Sequence, residues 1–125
     1  MVLFRIAPRF YPLRLNAFMR SEVELSVDLE NLTDLTAWIE CDVVLPEAIS
    51  LAPDRTLSKG RLRIGIVDPK GKASGKCKIY ASARSYPDRY PVQLIAYAYG
   101  RDGAIMGREE AKTELRCEQI GSGSY

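Results

Sequence analysis

The sequence predicts an all-β fold, an antiparallel sandwich of seven or eight strands, and three observations predict it. Apolar residues recur at every second position in several separate segments. Clusters of Gly, Pro, Asn and Asp punctuate those segments. No segment of comparable length carries the period of an amphipathic helix. Strands without helical interludes build antiparallel sheets rather than a parallel α/β sheet. At 125 residues the chain fits one domain, expected over residues 1–120, with a flexible tail at residues 121–125.

Taken in order, Leu13, Leu15 and Ala17 suggest a first strand. Residues 22–30 alternate cleanly, with Val23, Leu25, Val27 and Leu29 on one face and Glu22, Glu24, Ser26, Asp28 and Glu30 on the other. Asn31, Thr33 and Asp34 turn the chain. Residues 36–45 then present Ala37, Ile39, Cys41 and Val43 to one side until Pro46 ends the run. Residues 47–59 hold no period and predict a long connection with room for a short edge strand. Residues 61–68 alternate through Leu62, Ile64 and Ile66. Asp68, Pro69, Lys70 and Gly71 fit a type I turn, because proline presets φ at its second position. Residues 76–83 place Cys77, Ile79, Ala81 and Ala83 opposite Lys76, Lys78, Tyr80 and Ser82. Pro87 and Pro91 bound a loop, residues 92–99 form a strongly β-prone strand, Gly100 and Gly103 bracket a hairpin, and residues 104–118 close the fold. The expected core is Val23, Leu25, Val27, Leu29, Ile39, Val43, Ile64, Ile79 and Leu94.

Three stretches, "VELSVDLENLTDLTAWIECDVVLPEAISL", "RLRIGIVDPKGKASGKCKIYAS" and "PDRYPVQLIAYAYGRDG", carry a resemblance. An alternating strand ends in an asparagine turn, the next ends in Leu-Pro, and a late aromatic strand leads into a Gly-bounded hairpin. This order, over about residues 20 to 118, resembles the bacterial and archaeal immunoglobulin-like modules of the CARDB and NPCBM-associated type. The resemblance implies an immunoglobulin-like sandwich with a binding role, and it names no ligand.

Catalytic signatures are absent or incomplete. The chain has no histidine, the commonest general base and zinc ligand. "GKASGKC" over residues 71–77 has three residues between its glycines, where a phosphate loop needs four, and lacks a Ser or Thr after Lys76. Asn31, Leu32 and Thr33 spell a glycosylation sequon, but the turn is the better reading. The carboxylate pairs Glu40 with Asp42 and Glu109 with Glu110 are expected at the solvated surface. Cys41, Cys77 and Cys117 are expected as buried free thiols, Cys41 and Cys77 largely inaccessible on the core faces, since an odd number argues against a disulfide framework. Neither enzymatic activity nor a cofactor or metal is expected. The first fourteen residues are interrupted by Arg5, Pro8, Arg9 and Pro12, which denies them the apolar core of an export signal, so the expected compartment is the cytoplasm, or the envelope or exterior if a leader has been trimmed from the sequence. Scarce Asn and Gln suit a heat-adapted protein.

Charge is divided along the chain. Residues 21–54 hold nine acids and no Lys or Arg, whereas residues 55–89 hold ten bases against Asp68 and Asp88. The preferred explanation is internal, with Glu24 and Asp28 facing Lys76 and Lys78 across one sheet. The alternative is a basic patch of Arg61, Arg63, Lys70, Lys72, Lys76 and Lys78, which lacks the aromatic interleaving of a nucleic-acid stacking surface. Alternation sets Trp38 outward from Ile39, where an exposed Trp marks a partner surface. Tyr90 has the spacing of a tyrosine corner, and Arg84 and Tyr86 in the same loop are of types enriched at binding hot spots. The candidate interaction surface is therefore Trp38, Arg61, Arg63, Arg84 and Tyr86. A protein partner or self-association is the expected use, ahead of carbohydrate or cell-envelope material and then nucleic acid. Neither a membrane nor a small-molecule ligand is expected.

Overall fold

A computed structural model of the chain describes residues 3–119, in which nine strands follow one another: β1 (Phe4–Tyr11), β2 (Arg14–Asn16), β3 (Ser21–Asn31), β4 (Ala37–Val44), β5 (Ile49–Ser50), β6 (Lys59–Val67), β7 (Lys72–Ala81), β8 (Asp88–Tyr99) and β9 (Ile105–Glu118). They form a four-stranded sheet in the order β1-β3-β7-β5 and a five-stranded sheet in the order β2-β9-β8-β4-β6. The fold is all-β, and among the described residues no helix is long and apolar enough to cross a membrane. The tail expected at residues 121–125 lies outside the described residues.

β3 organises the smaller sheet. Its inward Val23, Leu25, Val27 and Leu29 are all buried, and each such side chain contributes about 1.5–3 kcal/mol by leaving water. Across the interlayer space they meet Cys41 and Val43 of β4, Val92 and Leu94 of β8 and Leu115 of β9, with Ile79 of β7 beside them. A second cluster of Phe4, Leu29, Ala37, Ile39, Val67, Ala96 and Ala98 closes one end. Eight of the nine expected core residues are buried; Ile64 is half-buried because β6 is the edge of its sheet.

The N-terminal segment differs from expectation. The first strand spans residues 4–11 and pairs antiparallel with β3, whereas Leu15 belongs to β2, which pairs parallel with β9. β1 contains Pro8 and lies at a sheet edge, the place in a sheet where proline's missing N–H can go without a partner. β1 also brings cations to the acidic face of β3: Arg5 reaches Glu30 at 2.8 Å and Arg9 reaches Asp28 at 2.9 Å. From the other side Lys78 reaches Glu22 at 3.2 Å and Lys76 reaches Glu24 at 3.7 Å. Asp28 does not face a lysine as expected; the register sets it opposite Ser74, whose hydroxyl donates to it at 2.8 Å. Each exposed pair is worth only a few tenths of a kcal/mol, roughly, but together they disfavour a slipped register.

Two further differences have local causes. In β6 the pairing with β4 shifts between Ile39 and Glu40, so that Glu40 faces Arg63 and Ile39 faces Gly65. The extra residue, Ile64, forms a bulge completed by Gly65 at φ +109°, a conformation open to glycine. Beyond it the alternation inverts: Val67 enters the core, and Ile66, expected inside, is 66% exposed. At the next turn the Gly71 amide donates to the Asp68 carbonyl at 2.8 Å, but Lys70 has φ +60°. A positive φ at the third position marks a type II turn, not type I. Ala83 falls outside β7 and is exposed.

Asn31 ties these pieces together from a fully buried position. Its Nδ2 is directed at the carbonyls of Leu35 (2.8 Å), Val67 (3.2 Å) and Asp68 (3.2 Å), while its Oδ1 accepts from the Thr33 amide (3.0 Å) and hydroxyl (2.7 Å). Unpartnered buried carbonyls are costly, so the side chain holds both ends of the β3–β4 turn against the end of β6. We expect Asn31→Asp, which points an anion at three carbonyls, to lower unfolding stability by about 3 kcal/mol or more, and by more than Asn31→Ala. Urea denaturation measures both. An Asp variant within about 1 kcal/mol of the parent would contradict the assigned bonding.

Candidate functional site

The outer face of the five-stranded sheet carries a row of large apolar side chains that cross-strand register sets side by side. Ile66 of β6 pairs with Trp38 of β4, Trp38 with Tyr99 of β8, and Tyr99 with Ile105 of β9. Paired residues in a sheet point to the same side. Trp38 is 43% exposed and Ile105 61%; with Ile66 they leave an apolar strip open on β6, β4 and β9, and Tyr99 of β8 is half-buried between Trp38 and Ile105. The bulge at Ile64 is what adds Ile66 to it, since unbroken alternation would have turned that side chain inward.

The next row inward is charged and held in place. Arg63, Glu40, Tyr97 and Arg108 follow one another across β6, β4, β8 and β9. Arg61 bridges Glu40 (2.9 Å) and Asp42 (2.7 Å), its guanidinium 5.5 Å from the centre of the Tyr97 ring. Arg108 approaches the same ring at 6.0 Å and pairs with Glu110 at 2.8 Å. Through its hydrogen bond and its charge, Asp42 raises the already high proton affinity of Arg61. Trp38 Nε1 donates to Glu40 at 3.3 Å, which couples the apolar strip to this network. Asp42, expected at the solvated surface, is buried, and Arg61 is the partner that makes its burial tolerable.

Of the five candidates, the structure brings together Trp38, Arg61 and Arg63. Arg61 is bound within the sheet, while Arg63 is exposed and forms no ion pair among the described residues. Arg84 and Tyr86 lie at the opposite end of the twelve-residue β8, in the loop that precedes it. There Tyr90 is buried and its hydroxyl donates to the Tyr86 carbonyl at 2.6 Å, the tyrosine corner anticipated from spacing. The Tyr86 ring meets Tyr90 edge-on at 5.7 Å. Arg84 borders a recess of about 380 Å³ shared with Arg20, Glu47, Arg55 and Ser82. Sequence reasoning missed Ile66, Tyr97, Tyr99 and Ile105. The alternation of Ala96 and Ala98 with Tyr97 and Tyr99 was a readable signal for the two tyrosines; Ile66 required knowledge of the bulge.

All three cysteines are free. Cys41 and Cys117 are buried and Cys77, expected to be inaccessible, is half-buried on a strand open to one side. Burial, reinforced by Asp42, pushes the Cys41 thiol up to about 12; burial alone raises Cys77 to about 11 and raises Cys117. No group of three or more potential metal-binding residues occurs among the described residues.

No family model and no curated protein matches the chain. Solved structures of low identity share its fold. The Pseudomonas fluorescens alkylpurine DNA glycosylase AlkC bound to DNA containing an abasic site analog aligns with 94% of this chain and 31% of its own, at TM-score 0.55 and 12% identity. Trypsin-activated alpha-2-macroglobulin from Escherichia coli aligns with 94% of this chain and 7% of its own, at TM-score 0.58 and 12% identity. A FixG-related protein from Vibrio parahaemolyticus aligns with 94% of this chain and 98% of its own, at TM-score 0.54 and 10% identity. The chain thus spans less than a third of the first two and nearly all of the third.

Protonation gives a test of the core around these residues. Unfolded thiols and phenols release protons near 9.0 and 10.0, whereas folded Cys41 and Tyr90 hold theirs to about 12, raised chiefly by burial. A raised folded value stabilises below the unfolded one and loses that contribution as pH rises toward the folded one. Stability should therefore decline from about pH 9 upward, and Cys41→Ala with Tyr90→Phe should flatten the decline. A urea midpoint that stays constant from pH 7 to pH 11 would refute this assignment.

Proposed function

We propose that the chain is a non-catalytic immunoglobulin-like module that binds another protein through the outer face of its five-stranded sheet. The observation that carries this reading is the strip of Ile66, Trp38, Tyr99 and Ile105, continuous across four strands, with Ile66, Trp38 and Ile105 open to solvent and Tyr99 half-buried among them. Trp, Tyr and Arg dominate binding hot spots, the two aromatics because they bury large surfaces at small entropic cost. The adjoining network of Glu40, Asp42, Arg61 and Tyr97 preorganises the surface, reducing the ordering a partner must impose. The resemblance to CARDB-type and NPCBM-associated modules supports a binding role. Three free cysteines fit a reducing compartment, and we place the module in the cytoplasm.

A second reading, binding of carbohydrate or envelope material, draws on the same surface, where the faces of Trp38, Tyr97 and Tyr99 lie beside carboxylates and guanidinium groups. Nucleic acid is less favoured, because Arg61, Lys76 and Lys78 are matched by acids of the same chain.

The test is Trp38→Ser combined with Ile66→Ser. Both residues are exposed, so the melting temperature should stay within a few degrees of the parent while partner affinity falls at least about tenfold. Immobilised parent and variant, exposed to source lysate and to a glycan panel, separate the two readings. A protein lost selectively from the variant supports the first, selective loss of glycan retention replaces it with the second, and identical retention by both rejects the surface.

A further inference from the structure

β7 pairs with β3 along all ten of its residues, but on its other side, among the described residues, it pairs only with Ile49 and Ser50 of β5. Residues 72–79 therefore present one row of backbone groups that no strand among the described residues pairs with. The edge of the other sheet, β6, lies alongside. At Gly75 an added Cβ would come within 2.7 Å of Ile64 Cδ1, so glycine permits the two edges to approach. The core is nevertheless not closed there: Ala73 and Cys77 of β7, with Leu62 and Ile64 of β6, face inward yet are only half-buried.

On its outer side this edge is lined by Lys72, Lys76 and Lys78. The acids of β3 do not fully satisfy them. Glu30 and Asp28 are held by Arg5 and Arg9 of β1, leaving Lys72 without an ion pair among the described residues and Lys76 with one at 3.7 Å. Lysines on an exposed edge commonly prevent strand-to-strand aggregation, and here they exclude a second copy of β7 by setting lysine against lysine. They do not exclude a strand of opposite pattern. The covered side of β7 already holds one: Glu22, Glu24 and Asp28 of β3 alternate with Val23, Leu25 and Val27, acids outward and apolar side chains inward.

We propose that the free edge of β7 accepts, as an added strand, an extended acidic segment of a partner protein in which carboxylates alternate with apolar residues. Its main chain pairs with residues 72–79, its apolar side chains cover Leu62, Ile64 and Cys77, and its carboxylates meet Lys72 and Lys76. This goes beyond the sheet-face reading, uses a separate surface, and survives or fails independently of it.

The probe is a fluorescein-labelled synthetic peptide copying residues 21–31, SEVELSVDLEN, with a control in which every acid is lysine. The acidic peptide should bind saturably, weaken at least tenfold between about 50 and 500 mM salt, and raise the melting temperature. It should also slow alkylation of Cys77 at least tenfold while Cys41 and Cys117 remain as slow as before. Lys72→Glu, which breaks no ion pair within the described residues, should weaken binding at least tenfold, whereas Trp38→Ser with Ile66→Ser should leave it unchanged. The proposal is overturned by absence of saturable binding, by equal binding of the lysine peptide, or by binding that leaves Cys77 alkylation unaffected. A lowered melting temperature would also overturn it, because it would mean that the peptide displaces β3.

Discussion

The strict two-faced character of β3 is the constraint on which the rest depends. One face must be apolar throughout, because it meets the opposing sheet across the core, and a one-residue slip would exchange it with the acidic face. That acidic face needs cations on both sides. Arg5 and Arg9 on β1 and Lys76 and Lys78 on β7 supply them, so the uneven distribution of charge along the sequence becomes local pairing in the folded sheet. The two opposed segments nearly cancel, so a net charge of only +2 conceals a division that the fold brings into register.

The two sheets differ in what they leave open. The smaller sheet has a charged outer face and an incompletely covered edge; the larger has an aromatic and aliphatic strip fixed by a buried carboxylate and its arginine. Sheet edges offer main-chain hydrogen bonds and select a partner by its pattern, whereas sheet faces offer area and select by shape. The two surfaces proposed above for recognition thus sit apart on one small framework.

Much of the architecture was legible from alternation alone, since β3, β4, β8 and β9 lie close to where period-two patterning put them. What escaped has specific causes. β1 carries Pro8 and lacks the clean polar/apolar alternation of β3, so patterning points to Leu13, Leu15 and Ala17 for the first strand instead. The fate of Ile66 turned on Gly65, and a bulge leaves no signature in periodicity beyond a glycine within an apolar run. Of the candidate surface, Trp38 followed from alternation, but its neighbours across the sheet did not. Which strands lie side by side is a property of topology, and Tyr99 and Ile105 join Trp38 only through the order β9-β8-β4-β6. Arg61 was singled out for its charge, yet its principal contact is with buried Asp42, a partnership between strands that no local pattern encodes.

The burial of Asn31 bears on how the protein must be made. Its Nδ2 is the atom a glycosyltransferase would modify in the Asn-Leu-Thr sequon, and in the folded chain that atom is enclosed by three carbonyls. Folding and glycosylation at this position exclude each other. A chain sent through a eukaryotic secretory route would divide between molecules that fold before modification and molecules whose attached sugar keeps the β3–β4 turn from closing. Production in a host compartment without that enzyme avoids the competition.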